Sequence, residues 1–349
     1  MEYKLRCLSC GAVYERSLKS QICPKCKGLL EVEYTGKEEM HKAKSFWDFE
    51  PLLPKGYYVH YDLGFTNLIE SKESKDLLLK LEFLNPTGSF KDRGSVIEVA
   101  KAKEYGYKKV VCASTGNMAY SLSYYARLYG IKATVFISKS ANKNKLFDIK
   151  STHGAELHLI EGDFTEAQKE ALAYSIAHNA FLTGDYCYRK EGQSTIAFEL
   201  FSQDPEISNV IMPIGNGTLF SAVYKAYARL VRMGLLKKVP RLIGVQASLA
   251  APIVHARGKS ITYEKPRTKA DAIAVGLPTY GQQVLSAVKA TQGFLVTVSD
   301  KEMIAWQSRF FKEYGRAAEL AGVASLAAYQ KVKNKLKGKS VALITGANF

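Results

Sequence analysis

The chain has 349 residues, enough for two α/β domains and a small extra module, and its 47% hydrophobic content is that of a soluble globular protein. No apolar run approaches the roughly 18 residues that cross a bilayer, and Met1-Glu2-Tyr3-Lys4 opens no signal-peptide core, so a cytoplasmic protein with no membrane partner is expected. The net charge of +16 would suit nucleic acid or anionic small ligands, but the lysines are scattered over 37–44, 101–109, 139–150 and 331–339 without clustered aromatics and glycines; they read as solvated helix faces, and nucleic acid is not an expected partner.

Cys7-Leu8-Ser9-Cys10 and Cys23-Pro24-Lys25-Cys26 form two C-x-x-C pairs. Four thiolates so arranged match tetrahedral zinc on two knuckles; disulfides are the alternative, and a cytosolic chain argues against them. With Cys7, Cys10, Cys23 and Cys26 all as ligands the metal has no open position, so zinc here would be structural. Gly11 and Gly28 follow the pairs, and Leu30 to Tyr34 alternates as a short strand, which makes residues 1–36 a zinc ribbon. Residues 37–55 read as a linker, with one helical turn near Ser45 to Phe49.

A strand at Leu77 to Phe83 runs into Asn85-Pro86-Thr87-Gly88-Ser89-Phe90-Lys91-Asp92-Arg93-Gly94. Asn85, Pro86 and Gly88 break the strand, and Ser89 with Asp92 three residues on signals a helix start, continuing to about Tyr105. Lys91 then lies in the first turn, where the helix dipole disfavours a second positive charge; an amine so placed can form a Schiff base with a carbonyl cofactor. Beyond it strand and helix alternate at βαβ spacing: strands at 109–113, 133–137 and 157–160, with helices at 117–129, 143–152 and 165–178. Helices at 192–201, 218–231, 300–314 and 323–333 then alternate with strands at 209–213, 241–245, 294–298 and 341–345. The expected fold class is α/β, two open parallel-sheet domains preceded by the ribbon. In such sheets ligands bind at the carboxyl ends of the strands. Two strand-to-helix loops there could do so. Gly215-Asn216-Gly217-Thr218 suits a phosphate, because glycines let amides approach an anion at a helix N-terminus. Ser114-Thr115-Gly116-Asn117 reads equally as a plain helix cap or as a ligand loop.

The Asn85–Gly94 segment resembles the lysine signature of the threonine synthases, which belong to the fold type II (tryptophan synthase beta-like) enzymes that use pyridoxal 5′-phosphate (PLP). The resemblance implies that Lys91 is catalytic and binds the cofactor through its amine, with Phe90 beside it. It implies further cofactor contacts at Asn117, to the 3′-oxygen, and at Gly215, Asn216, Gly217 and Thr218, to the phosphate. Glu319 matches a family glutamate near the cofactor, and Thr345 of Thr345-Gly346 matches a hydroxyl facing the pyridine nitrogen. Expected substrate contacts are Ser89, Ser114, Thr115, Met118, which stands where threonine is common, and Arg189. Arg189 belongs to Tyr188-Arg189-Lys190-Glu191-Gly192-Gln193-Ser194-Thr195, which is similar to a threonine synthase segment except that Ser194 replaces a lysine. Many threonine synthases also begin with a comparable ribbon. The implied larger, cofactor-binding domain comprises residues 37–93 and 190–349, the smaller one 94–189, and a homodimer is expected. The implied reaction converts O-phospho-L-homoserine and water to L-threonine and phosphate. The same apparatus serves β-elimination (threonine or serine dehydratase) and β-replacement (cysteine or cysteate synthase). A non-catalytic zinc-ribbon binding protein on this fold is the alternative of a different class, and the intact lysine motif argues against it.

Overall fold

The computed structural model describes residues 1–114, 116–139, 149, 154–162, 164–256 and 259–347. The helix expected at 143–152 and the loop residue Thr115 lie outside the described residues. The chain divides into two compact units, one of Met1–His41, Trp47–Asp62 and Lys91–Gln193, the other of Lys42–Phe46, Leu63–Phe90 and Ser194–Phe349. No helix among the described residues is long and apolar enough to cross a membrane.

The first unit contains a three-stranded antiparallel ribbon in which Tyr3–Cys7 pairs with both Val13–Glu15 and Leu30–Tyr34. It also contains a parallel sheet with Lys109–Ala113 between Phe181–Leu182 and Lys132–Ser138, and Glu156–Ile160 outermost. Val111 and Phe136 of this sheet pack against Ala167 and Ala171 of the Phe164–Ala177 helix. Apolar residues in adjacent strands, Val110 and Val111 among them, are fully buried, as β-branched side chains on a covered pleat should be. The Lys91–Glu104 and Asn117–Leu128 helices start at the expected loops.

The second unit is built on a sheet ordered Phe294–Val298, Arg241–Ala247, Asn209–Pro213, Ser340–Ile344, Ser74–Leu81, Leu68–Ser71, parallel except for the last, antiparallel strand. Leu77, Leu79, Ile211, Ile243, Ala342 and Ile344 bury one face of it under Val323, Ala324 and Ala327 of the Leu320–Val332 helix. Two charges interrupt this apolar pattern. Lys80 is fully buried and donates to Glu199, to the Gln203 side chain (2.8 Å) and to the Thr66 carbonyl (2.6 Å). Glu82 accepts from Thr66 Oγ1 at 2.8 Å and from Asn85 at 3.0 Å. Deleting one partner of such a buried pair costs about 3–5 kcal/mol, because the other charge is left without compensation. Asn85, the first residue of the lysine motif, therefore serves to fix the turn: its Nδ2 reaches Glu82 and its Oδ1 accepts from the Gly64 amide at 2.9 Å.

The observed helix at Cys187–Gln203 starts before the expected 192, and Gly281–Ala290 is a helix not read from sequence. The Asp300–Tyr314 helix opens on a full capping box, Ser299 with Glu302.

Candidate active site

Three neighbouring strands of the second unit, Asn209–Pro213, Ser340–Ile344 and Ser74–Leu81, are parallel, so their carboxyl ends lie at one edge of the sheet. Gly215–Thr218 follows the first, Thr345–Ala347 the second and the Asn85–Phe90 turn the third. The last two are stitched together: Phe90 N donates to Thr345 O (3.1 Å) and Ala347 N to Gly88 O (3.1 Å). On its other side the same segment accepts Glu319 N at Gly346 O (3.0 Å). Ser89, Phe90, Glu319 and Thr345, far apart in sequence, thus share one backbone network. Gly322 completes it, since a Cβ there would stand 2.6 Å from Gly346 O.

The Gly215–Thr218 loop leads into the Thr218–Arg232 helix, whose N-cap, Gly217, has φ 84° and offers no side chain to the first-turn amides. Cβ atoms are excluded on both glycines, at 3.1 Å from Ala272 O for Gly215 and 2.7 Å from Val284 Cγ2 for Gly217. Asn216 Oδ1 accepts from Thr279 Oγ1 at 3.2 Å, and its carbonyl accepts from Tyr280 N at 2.8 Å, which pins the loop from behind. A helix N-terminus behind a glycine loop is suited to receive an anion.

Lys91, next in the chain after Phe90, is the first residue of its helix in the first unit and is half-buried. Arg189 is fully buried and spends its donors inside that unit: Nε to Gly184 O (2.9 Å), Nη1 to Lys91 O (3.3 Å), and Nη2 to Ser95 Oγ (3.2 Å) and Glu98 (2.5 Å). The Glu98 carboxylate, which also accepts from Gly184 N, is pushed up to about 7 by burial, against the pull of Arg189. The two helices meet backbone to backbone: a Cβ on Gly192 would stand 1.9 Å from Arg93 O, and one on Gly94 would stand 2.9 Å from Arg189 O. Asp92 accepts from Ser121 Oγ at 2.6 Å.

In the loop before the Asn117–Leu128 helix, Ser114 Oγ accepts from Gly116 N (3.2 Å) and Ala119 N (3.0 Å), so this hydroxyl shapes the turn. Asn117 opens the helix, partly exposed, and Met118 is buried in a recess with Ala113, Gly184 and Tyr186. Gln193, in the segment that carries Ser194, is fully buried with both amide atoms lacking a hydrogen-bond partner among the described residues. Ser194 is fully buried as well. Sequence reasoning did not single out Glu98, Gly192 or Gln193; an unusual glycine and glutamine inside a helix were the available signals.

The four ribbon cysteines converge, with all Sγ atoms within 4.8 Å of one another. Cys7 and Cys26 are 3.5 Å apart and Cys10 and Cys23 3.8 Å. Burial pushes the Cys23 thiol up, but the Tyr14 hydroxyl at 3.2 Å and the amides of Cys26 and Lys25 outweigh it and bring it down to about 6, favouring the thiolate that binds metal. Both knuckles use left-handed backbone, at Gly11 (φ 71°) and Lys27 (φ 62°).

Two α/β units built on parallel sheets, one preceded by a four-cysteine ribbon, are the architecture of a fold type II PLP-dependent enzyme. The family described as pyridoxal-phosphate dependent enzymes matches residues 59–346, and the chain belongs to it. Among curated relatives it is 35% identical to the threonine synthase of Methanosarcina acetivorans over 353 residues, covering 95% of this chain and 87% of that protein. It is 32% identical to the threonine synthase of Methanocaldococcus jannaschii, covering 94% and 87%. Among solved structures, maize serine racemase superposes with a TM-score of 0.73 at 24% identity, over 82% of this chain and 89% of that one. A threonine deaminase from T.th. gives 0.70 at 25%, over 82% and 93%. The residues present fit PLP: with Cβ atoms denied at Gly215 and Gly217, backbone amides there would be free to face a phosphate, and Lys91 would offer an amine.

Proposed function

We propose that this enzyme is a threonine synthase, converting O-phospho-L-homoserine and water to L-threonine and phosphate. The observation that carries this reading is 35% identity to a threonine synthase across 95% of the chain. PLP, when bound, supplies the electron sink for negative charge developing at the substrate α-carbon. In this reading Lys91 would anchor it, and the Lys91 amine would be the base that carries the α-proton. The amides of Gly215 to Thr218 would hold the cofactor phosphate, and Asn117 and Thr345 would be its further contacts. A neutral hydroxyl such as that of Thr345 fixes no proton, which leaves reaction control to Lys91. The four cysteines hold a structural zinc ion.

One observation favours a second reading, β-elimination or β-replacement on an unphosphorylated amino acid. A dianionic phosphate needs paired positive charge or several donors, and Ser194 stands where threonine synthases carry a lysine. The nearest cations in sequence are engaged elsewhere: Arg189 pairs with Glu98 and Lys190 with Glu31 at 2.7 Å. Lys143 and Lys145 lie outside the described residues. Loss of one charged donor weakens phosphate binding by roughly 1–3 kcal/mol. The deciding assay measures phosphate release from O-phosphohomoserine beside 2-oxo acid formation from threonine and serine. Phosphate release with equimolar threonine supports the synthase, and Ser194→Lys should then lower KM for the phosphorylated substrate alone. Oxo-acid formation with no phosphate release rejects it in favour of elimination.

A further inference from the structure

The ribbon lies in the same compact unit as Lys91, and while it also meets Leu53, Glu104 and Tyr105, several of its side-chain contacts fall on the start of the Cys187–Gln203 helix. Gln21, almost fully buried between the two cysteine pairs, donates to Leu182 O at 2.8 Å, and its Oε1 accepts from Tyr188 N at 3.1 Å. The Tyr34 hydroxyl donates to Glu191 at 2.5 Å, and Lys190 donates to Glu31 at 2.7 Å. Tyr3 and Tyr188 place their hydroxyls 3.1 Å apart, their rings edge to face. Tyr188, Lys190 and Glu191, in the first turns of the Cys187–Gln203 helix, are thus all held by the ribbon. Arg189, among them, faces the other way and holds Lys91 O, Ser95 and Glu98.

We propose that the four-cysteine ribbon positions the catalytic lysine: a divalent metal on Cys7, Cys10, Cys23 and Cys26 fixes Gln21, Glu31 and Tyr34 against the start of the Cys187–Gln203 helix, and Arg189 in that start holds the first turn of the Lys91 helix. The inference rests on Lys91 being the cofactor lysine. Its physical basis is that a ribbon this small has too little core to be ordered alone, so the metal supplies its rigidity. Without metal the short strands lose their closure, and the side chains that seat the helix lose their fixed origin. Arg189 is then a positioning residue, acting through the backbone of Lys91.

Hydrogen exchange on the full chain carrying its cofactor reads this directly. Stripping the metal, verified by metal analysis, should speed exchange about tenfold or more at both 187–193 and 91–96 while leaving the central strand Asn209–Pro213 unchanged. The absorbance band of the bound cofactor should shift its pH midpoint in step. In Arg189→Met/Glu98→Gln, which removes both buried charges together, stripping should still loosen 187–193 but no longer change 91–96. Should that variant not fold, Glu31→Gln/Tyr34→Phe serves instead, with metal still bound and exchange raised at both segments. Unchanged exchange at 91–96 after verified metal loss overturns the proposal, as does a chain that binds no divalent metal when refolded with zinc. Failure of the Lys91 reading shows separately, as absence of borohydride-trapped cofactor on Lys91.

Discussion

Gly192 gives the sharpest test of the helix contact behind Lys91. It lies inside the Cys187–Gln203 helix, where alanine is ordinarily favoured over glycine by about 1 kcal/mol. Here the added methyl would stand 1.9 Å from Arg93 O, 2.7 Å from Arg93 C and 2.9 Å from Gly94 Cα. All three are backbone atoms and cannot rotate aside, so the helices must part by about 1 Å to restore a tolerable contact, an overpacking that costs roughly 1–3 kcal/mol. Parting also stretches the bond from Arg189 to Lys91 O, already 3.3 Å, and a buried donor left without a partner costs about 1–3 kcal/mol more. Set against the propensity gain, Gly192→Ala should lose about 1–5 kcal/mol. Urea unfolding of parent and variant at equal cofactor concentration measures the difference, read from the midpoint at unchanged slope. A variant equal to the parent, or more stable by the propensity gain, would refute the backbone contact and with it this account of Gly94 and Gly192.

Lys91→Ala should fold yet lose borohydride-trapped cofactor and all turnover; a retained band with full activity shows that another residue carries the cofactor. Gly217→Ala must hold φ 84° and displace Val284, at about 1–2 kcal/mol for the left-handed backbone alone, and should release cofactor on dialysis faster than the parent. Glu98 is raised by burial from 4.5 to about 7, so the stability it contributes is fully present below about pH 4.5 and is lost as pH rises to about 7. Glu98→Gln should remove that slope, on the order of 3 kcal/mol across the window, from the pH dependence of urea midpoints, and an identical profile in both proteins would show that Glu98 does not titrate there.

Much of this was legible from sequence because its signals are local. The lysine motif, the glycine loop, the threonine at the end of the last strand and the cysteine spacing each sit within ten residues or so. What was not legible is what couples them. That Gly88 and Phe90 pair with Thr345 and Ala347, and Glu319 with Gly346, depends on strand order, which periodicity does not give. Lys80 and Glu199 each read as ordinary polar positions, and only their burial against one another marks them. Arg189 fits the family segment as a substrate contact, whereas its donors go to Lys91, Ser95, Glu98 and Gly184. The domain expectation set the ribbon apart from the chain that follows, and nothing in its spacing announces that Gln21 bonds Tyr188 and Leu182.

The stitching of Gly88–Phe90 to Thr345–Ala347 has a consequence for how the chain is made. Synthesis proceeds at about 5–20 residues per second, so the strand Ser74–Leu81 and the lysine motif leave the ribosome long before their central partner, Ser340–Ile344, exists. During that interval the strand presents an unpaired backbone edge, with Leu77, Leu79 and Leu81 uncovered on its face, of the kind that pairs with other chains. The pairing that completes the lysine turn is of high sequence separation and therefore slow. A nascent chain arrested before Thr345 should hold no cofactor however much of the rest has folded. The lysine motif is translated early and its support much later, so the edge stays open in the meantime.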